Sequence, residues 1–533
     1  MPRSSLIVHY DLSLTLDDGT SLISTVWHLE EGGPWPALLM RQPYGRRLAS
    51  TVTLAHPAWW AKNGFLVVVQ DVRGQGDSTG EFLGFKQESA DTAATHSWVR
   101  NLPQCNGLLG CYGFSYQGLT QLVAPLDTPP PDCLAPAMAG LNECRHWSCE
   151  GGAHWWHLGL GWGLQLAALQ ASRRGDDQTW TKIRISLERG DYLRDGPELL
   201  QQHDPNGMAW RWLQQNPEEP GDWTVHTPPK SWLCAPMLLI GGWWDPHLLG
   251  VLDLWQRSRE AGGKPKLLIG PATHLQWWPD AQTTLLQFFQ QHLKKKSGST
   301  QDISQRFWNL TNQSWQEGSQ LKQTLSWHLV GDQLTCHDPN HGHLNSGTGT
   351  GGQGEVSIVH DPWRAVPAIG GHLSPNPGPA DRKHLDQRSD VATFSTIALN
   401  EDITLQGQPV LTLKAHADQS GFDLCVALSR LPASCDRVEQ LSTGVLRIRG
   451  QAALQNQPRC IRLQPLLATL SRGDRLRLSI AGAAWPAISV NSGHSDIPCG
   501  APTSRHRVVA MTLHLPGSNL QLIPLTSGRL RCD

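Results

Sequence analysis

The sequence predicts an α/β protein in which a largely parallel sheet is interrupted by a helical insertion and followed by an all-β region. Short apolar runs alternate with helix-like stretches up to residue 141 and again over 232–298, the pattern of β/α units. Between 142 and 231 the strand signal disappears, and from 299 onward helices give way to many short strands. At 533 residues the chain exceeds what one hydrophobic core normally organises. The division expected is therefore an α/β domain in two parts, 1–141 and 232–298, a helical cap at 142–231, and a β-rich domain at 299–533.

Residues 6–16 and 21–27 alternate like paired strands around the turn Asp17-Asp18-Gly19. Residues 36–40 and 65–70 are short apolar runs, and Val67-Val68-Val69 suits a strand buried on both faces. A helix is expected over 88–99, leading to a strand at 108–112. In the insertion, 155–174, 180–189 and 207–215 are helix-like, separated by breaks such as Pro217-Glu218-Glu219-Pro220-Gly221. Strands return at 237–240 and 266–269, and a last helix spans 280–295. Beyond Lys294-Lys295-Lys296-Ser297-Gly298-Ser299, strands are expected at 403–405, 410–415, 423–428, 444–448 and 475–481. The Gly-rich stretch 345–354 lacks the strand-to-helix context and lysine of a phosphate cradle, so a loop is expected.

Lys+Arg (44) nearly balances Asp+Glu (46), so there is no basic excess to bind nucleic acid. No apolar run reaches the ~18 residues that a membrane span needs, and Met1-Pro2-Arg3-Ser4-Ser5 opens no signal-peptide pattern. The 12 cysteines form no C-x-x-C pair, which suits reduced thiols and a cytoplasmic location. The expected partner is a small-molecule or short-peptide acyl substrate, with no nucleic acid and no membrane. The 24 tryptophans against 5 tyrosines imply aromatic packing, with some indoles walling an apolar pocket.

The chemistry centres on Gly110-Cys111-Tyr112-Gly113-Phe114-Ser115-Tyr116-Gln117-Gly118, a strand running into a glycine-flanked turn and then a helix. Such a turn holds a serine with its Oγ clear of the backbone, while N–H groups at the helix start face the oxyanion formed on attack. The second glycine, Gly118, comes one place later than in G-x-S-x-G. Alone, the segment also fits a serine capping an ordinary helix. A serine nucleophile needs a base, and the base an orienting acid; in α/β hydrolases they follow in the order Ser, acid, His, from loops at the carboxyl ends of later strands. Gly241-Gly242-Trp243-Trp244-Asp245 and Gly270-Pro271-Ala272-Thr273-His274 offer that order, each directly after a strand. The Tyr116 N–H supplies one oxyanion donor, and Arg41-Gln42-Pro43-Tyr44-Gly45, after the 36–40 strand, can bring the Tyr44 hydroxyl as a second.

With these segments in view, the chain resembles the CocE/NonD hydrolases, the group of cocaine esterase, X-prolyl dipeptidyl-peptidases, α-amino acid ester hydrolases and glutaryl acylases. The resemblance rests on R-x-P-Y at 41–44, on Asp71-Val72-Arg73-Gly74-Gln75-Gly76-Asp77-Ser78-Thr79-Gly80, on G-x-S-Y-x-G at 113–118, on G-W-x-D at 242–245 and on G-P-x-x-H at 270–274. It implies an α/β-hydrolase fold with an inserted helical cap and a C-terminal jelly-roll domain. It also implies Ser115 as nucleophile, His274 as general base, Asp245 as its orienting acid, and Tyr44 with the Tyr116 N–H as oxyanion hole. Ala272 stands where the group often has Trp, so a reshaped pocket near His274 is expected.

Hydrolysis of an ester or amide through an acyl-enzyme follows, with no cofactor. Three alternatives stay open: an X-Pro dipeptidyl-peptidase, with Glu143 or Glu150 holding the substrate ammonium; an acyltransferase or cyclase using an amine or alcohol acceptor; and a non-catalytic binding protein on the same fold. Asp71 and Arg73 are expected to brace their loop. His154 with His157, and Cys336 with His337, His341 and His343, lack the carboxylate or paired-thiol context of a metal site, so no metal is expected.

Overall fold

Ten strands form the catalytic sheet of this computed structural model, which describes residues 5–47, 53–295, 304–318, 325–347 and 352–524. They are β1 (Leu6–Thr15), β2 (Ser21–Leu29), β3 (Trp35–Gln42), β4 (Leu66–Asp71), β5 (Cys105–Phe114), β6 (Cys133–Ala137), β9 (Leu238–Trp244), β10 (Lys266–Thr273), β11 (Gln305–Asn309) and β12 (Ser314–Glu317). A separate two-stranded ribbon, β7 (Cys149–Glu150) with β8 (Ala153–His154), lies in the insertion. The sheet order is β1-β2-β4-β3-β5-β6-β9-β10-β11-β12. Strands β4, β3, β5, β6, β9, β10 and β11 run parallel, and β1, β2 and β12 are antiparallel additions at the two edges.

All six residues of β4 are buried, as expected for an apolar run covered by helices on both faces. The covering helices are α1 (Pro57–Lys62), α2 (Glu88–Arg100), α9 (Leu248–Glu260) and α10 (Ala281–Lys294). Parallel strands put their carboxyl ends on one side, where the loops after β3, β5, β9 and β10 converge. The strands β11 and β12 lie beyond the expected division at 299, yet they extend the catalytic sheet. Trp308 on β11 accepts the Trp243 indole N–H at its carbonyl, 2.7 Å away. The 298/299 division and the centre of the Gly-rich stretch fall outside the described residues.

Within the insertion, α4 (His157–Arg173), α5 (Asp177–Arg189), α6 (Tyr192–His203) and α7 (Met208–Gln214) pack around their own core of Trp156, Leu160, Leu164, Ile183 and Leu200. Helix α6 was not foreseen, because Gly196-Pro197 inside it reads as a break. The Gln170 amide of α4 donates to the Gly74 carbonyl at 2.7 Å and so fastens this layer over the loop after β4.

Eleven strands between Ser326 and Ile523 build a second, mostly β domain around Phe394, Phe422, Leu428, Leu478 and Leu513. The expected strands at 403–405 and 410–415 are one strand, Ile403–Ala417. It changes partners along its length, pairing with Leu466–Leu470 before Gly407 and with Gln457–Arg462 after it. No helix among the described residues is long and apolar enough to cross a membrane.

Candidate active site

Ser115 follows β5 directly with φ 58 and ψ −128, a conformation in which non-glycine residues are strained. It is followed at once by the short helix α3 (Tyr116–Leu119). The flanking glycines are required sterically. A Cβ on Gly113 would sit 2.4 Å from Gln117 Cβ, and one on Gly118 would sit 2.8 Å from the Ala137 carbonyl on the neighbouring strand. Gly118 is therefore the close-packing glycine of the turn, displaced by one residue from the usual spacing. The Ser115 N–H donates to the Ala137 carbonyl at 3.0 Å, and the Tyr116 N–H has no acceptor among the described residues.

Asp245, at the carboxyl end of β9, is fully buried and accepts two N–H groups. His274 Nδ1 donates to Oδ1 at 2.7 Å, and the His247 main-chain N–H donates to Oδ2 at 3.0 Å. A carboxylate can only accept, so His274 carries its proton on Nδ1 and presents Nε2 as the basic nitrogen. The His274 ring packs 5.3 Å from the ring of Phe114, the residue before Ser115.

Ser115, His274 and Tyr44 all open on one cavity of about 420 Å³. All three side chains face it, but no hydrogen bond joins Ser115 to His274 in this arrangement. Such contacts commonly close only once substrate is bound. Trp162 on α4 donates its indole N–H to Tyr44 Oη at 3.1 Å, which occupies an oxygen lone pair and leaves the phenolic hydrogen to donate elsewhere. Burial pushes the Tyr44 phenol up to about 12, so it stays protonated at neutral pH.

The apolar walls of the cavity include Trp147, Trp155, Trp162, Phe114, Leu158 and Leu275, and no carboxylate among the described residues lines it. Glu143 is buried elsewhere, accepting from Trp212 at 2.7 Å and from His226 at 3.0 Å. Burial alone would raise its pKa, but hydrogen bonds from His226 and Trp212 outweigh that and hold it below the ordinary value. Glu150 pairs with His372 of the β-rich domain at 2.5 Å. Neither lines the cavity. Ala272 is fully buried and is not among the residues that line the cavity.

A buried network joins the two oxyanion candidates. Arg41, at the end of β3 and three residues before Tyr44, pairs with Glu88 at 2.9 Å, and the Tyr116 hydroxyl donates to the other Glu88 oxygen at 2.7 Å. Burial raises the Glu88 pKa against the lowering influence of Arg41. Glu88→Ala leaves the Arg41 guanidinium buried without its counter-charge and is expected to cost about 3–5 kcal/mol. Chemical denaturation of wild type and variant measures it, and a change under about 1 kcal/mol would show the pair to be dispensable.

Asp71 and Arg73 brace their loop, as expected. Asp71 accepts from Arg46 Nη1 at 2.6 Å and from the Asp77 N–H at 3.0 Å, while Arg73 pairs with Asp91 at 2.7 Å. His154 faces the Trp212 carbonyl at 3.1 Å and His157 the Tyr192 hydroxyl at 2.5 Å. His247, two residues after Asp245 and on the cavity wall, was missed by sequence reasoning because a residue before a helix needs no special role.

Residues 18–276 match the X-Pro dipeptidyl-peptidase (S15 family) peptidases, and residues 270–522 match the X-Pro dipeptidyl-peptidase C-terminal non-catalytic domain. The chain is 23% identical to a cocaine esterase of Rhodococcus sp. (strain MB1 Bresler), over 91% of this chain and 92% of that protein. Among solved structures it is similar to an aminopeptidase from a marine sediment Thaumarchaeota archaeon (TM-score 0.72, 17% identity, 98% of this chain and 96% of that one). It is likewise similar to a CocE/NonD family hydrolase from Staphylococcus aureus (TM-score 0.69, 17% identity, 97% of this chain and 94% of that one). With the two family matches in tandem from residue 18 to residue 522, the chain carries an X-Pro dipeptidyl-peptidase (S15 family) domain followed by the C-terminal non-catalytic domain of such peptidases, is similar in this arrangement to the CocE/NonD hydrolases, and is an enzyme of the α/β-hydrolase type.

Proposed function

We propose that the protein is a serine esterase for uncharged, largely apolar acyl groups, acting through Ser115, His274 and Asp245. The observation that carries this reading is one cavity onto which a strained serine, a carboxylate-anchored histidine and a buried phenol all open. On attack, Ser115 Oγ bonds to the ester carbon while its proton passes to His274 Nε2, and Asp245 stabilises the resulting imidazolium. The carbonyl oxygen becomes an oxyanion held by the Tyr44 O–H and the Tyr116 N–H. His274 then returns the proton to the departing alcohol. Water, deprotonated by the same histidine, releases the acid and restores Ser115. The helical segment 142–231 acts as a cap that supplies all three indole walls, and the β-rich domain is a jelly roll that braces it.

An apolar cavity without carboxylates favours this reading over a dipeptidyl-peptidase, which must neutralise a free ammonium. The test is a comparison of p-nitrophenyl benzoate and butyrate with Gly-Pro and Ala-Pro p-nitroanilides, alongside mapping of a fluorophosphonate label. Ester hydrolysis with the label on Ser115 is expected; anilide hydrolysis exceeding ester hydrolysis, or a label elsewhere, would overturn the reading.

Tyr44→Phe keeps the ring in place and deletes one oxyanion donor. It is expected to lower kcat by about 10²- to 10³-fold with KM little changed. Steady-state kinetics measure it, and an unaltered kcat removes Tyr44 from the mechanism.

A further inference from the structure

His247 sits at the start of α9 with its ring in the cavity wall, packed 4.5 Å from the Trp147 ring, 5.6 Å from the Trp155 ring and 4.9 Å from the His274 ring. Its Nδ1 lies 2.6 Å from the His146 carbonyl oxygen. A carbonyl oxygen only accepts, so Nδ1 carries the hydrogen and donates it there. Burial, against the opposing influence of Asp245, pushes the imidazole down to about 4, which leaves the ring neutral under ordinary assay conditions. The Nε2 atom is then a bare lone pair, and it makes no hydrogen bond among the described residues. An acceptor in a largely apolar wall is costly to leave unpaired when ligand displaces water.

Of the other polar groups of the cavity, Gln165 is solvent-exposed and the rest are partly engaged or belong to the reaction. Gln117 accepts the Phe114 N–H at 3.3 Å, His157 pairs with Tyr192, and Ser115, Tyr44 and His274 form the proposed reacting group. His247, buried and packed on Trp147 and Trp155, is thus a recognition handle of the indole wall, and an accepting Nε2 selects for a hydrogen-bond donor rather than for charge.

Resting on the esterase reading above, we propose that His247 determines specificity by accepting a hydrogen bond from an uncharged N–H or O–H group on an otherwise apolar or aromatic substrate lying against Trp147 and Trp155. The preferred substrates are accordingly esters whose aromatic portion carries a hydroxyl or amide-type donor. Near-isosteric analogues with a methyl group at that position bind the same walls but leave Nε2 desolvated and unpaired. A hydrogen-bonding site discriminates strongly against the analogue that lacks its partner.

The experiment compares kcat/KM for p-nitrophenyl esters of each ring isomer of hydroxybenzoate with those of the matching methylbenzoate. It uses the full-length wild type, His247→Phe and His247→Gln. For at least one isomer the wild-type hydroxy-to-methyl ratio is expected to exceed that of His247→Phe by about 10-fold or more, with His247→Gln, which keeps an acceptor, in between. The ratio cancels general damage and the intrinsic reactivity of each ester, so a purely structural role for His247 would not move it. Should His247→Phe fail to fold, inhibition of wild type by free hydroxybenzoates against methylbenzoates reads the same preference. Equal ratios in wild type and His247→Phe for every isomer overturn the inference while p-nitrophenyl benzoate hydrolysis leaves the esterase reading intact. Failure of the wild type to hydrolyse any of these esters overturns both.

Discussion

Ser115→Ala is expected to lower ester turnover by roughly 10⁴- to 10⁶-fold without unfolding the protein. The turn at φ 58 is held by the main chain, through the Ser115 N–H to Ala137 and the glycines on either side, and none of these contacts involves the hydroxyl. Alanine meets the same backbone strain as serine, so the substitution removes only the proposed nucleophile. The oxyanion donors and the indole walls stay in place, and whatever activity remains measures their contribution. Burst-phase and steady-state assays of the purified variant give the result. A loss of less than about 10-fold would mean that another group attacks the ester.

Asp245→Asn is expected to lower kcat by about 10⁴-fold with little effect on the fold. Both Asp245 oxygens accept N–H groups, one from the His274 ring and one from the His247 main chain. An asparagine amide has one accepting oxygen, so its NH₂ must face one of these donors. The His247 donor is fixed in the main chain and cannot reverse, whereas the imidazole can change tautomer. The amide therefore turns its NH₂ toward His274, moves the ring proton to Nε2 and leaves no base for Ser115. Steady-state kinetics with circular dichroism as a folding control check this. A kcat within about 10-fold of wild type would show that His274 does not depend on Asp245 for its tautomer.

These two residues, with His274, could be singled out as candidates in the sequence because each stands in a loop straight after an apolar strand. Gly113 and Gly118 carried the same information, since any larger side chain collides with the turn or with the neighbouring strand. The strands themselves were equally plain: Val67-Val68-Val69 could only be covered on both faces. What escaped was whatever depends on the chain folding back on itself. The tryptophan count suggests that some indoles wall a pocket, but not that Trp147, Trp155 and Trp162 are the ones that face the same cavity as Ser115. Glu143 and Glu150 looked available as ammonium ligands, yet Trp212, His226 and His372 arrive from distant segments to occupy them. Strands β11 and β12 carry the short alternating pattern of the β-rich region, and only pairing with β10 assigns them to the catalytic sheet. His247 is the clearest omission, a residue whose role arises from the His146 carbonyl and two indoles rather than from anything beside it in sequence.

The central claim is that Ser115, His274, Tyr44 and the Tyr116 N–H act on the same carbonyl group. A crystal structure of the adduct formed with a fluorophosphonate tests this most directly, because the bound phosphoryl oxygen occupies the place of the oxyanion. The account predicts phosphorus bonded to Ser115 Oγ, with the phosphoryl oxygen about 2.7–3.1 Å from both Tyr44 Oη and the Tyr116 nitrogen and His274 Nε2 turned toward the leaving-group side. A phosphoryl oxygen directed away from both donors, or phosphorus on any other residue, would contradict it.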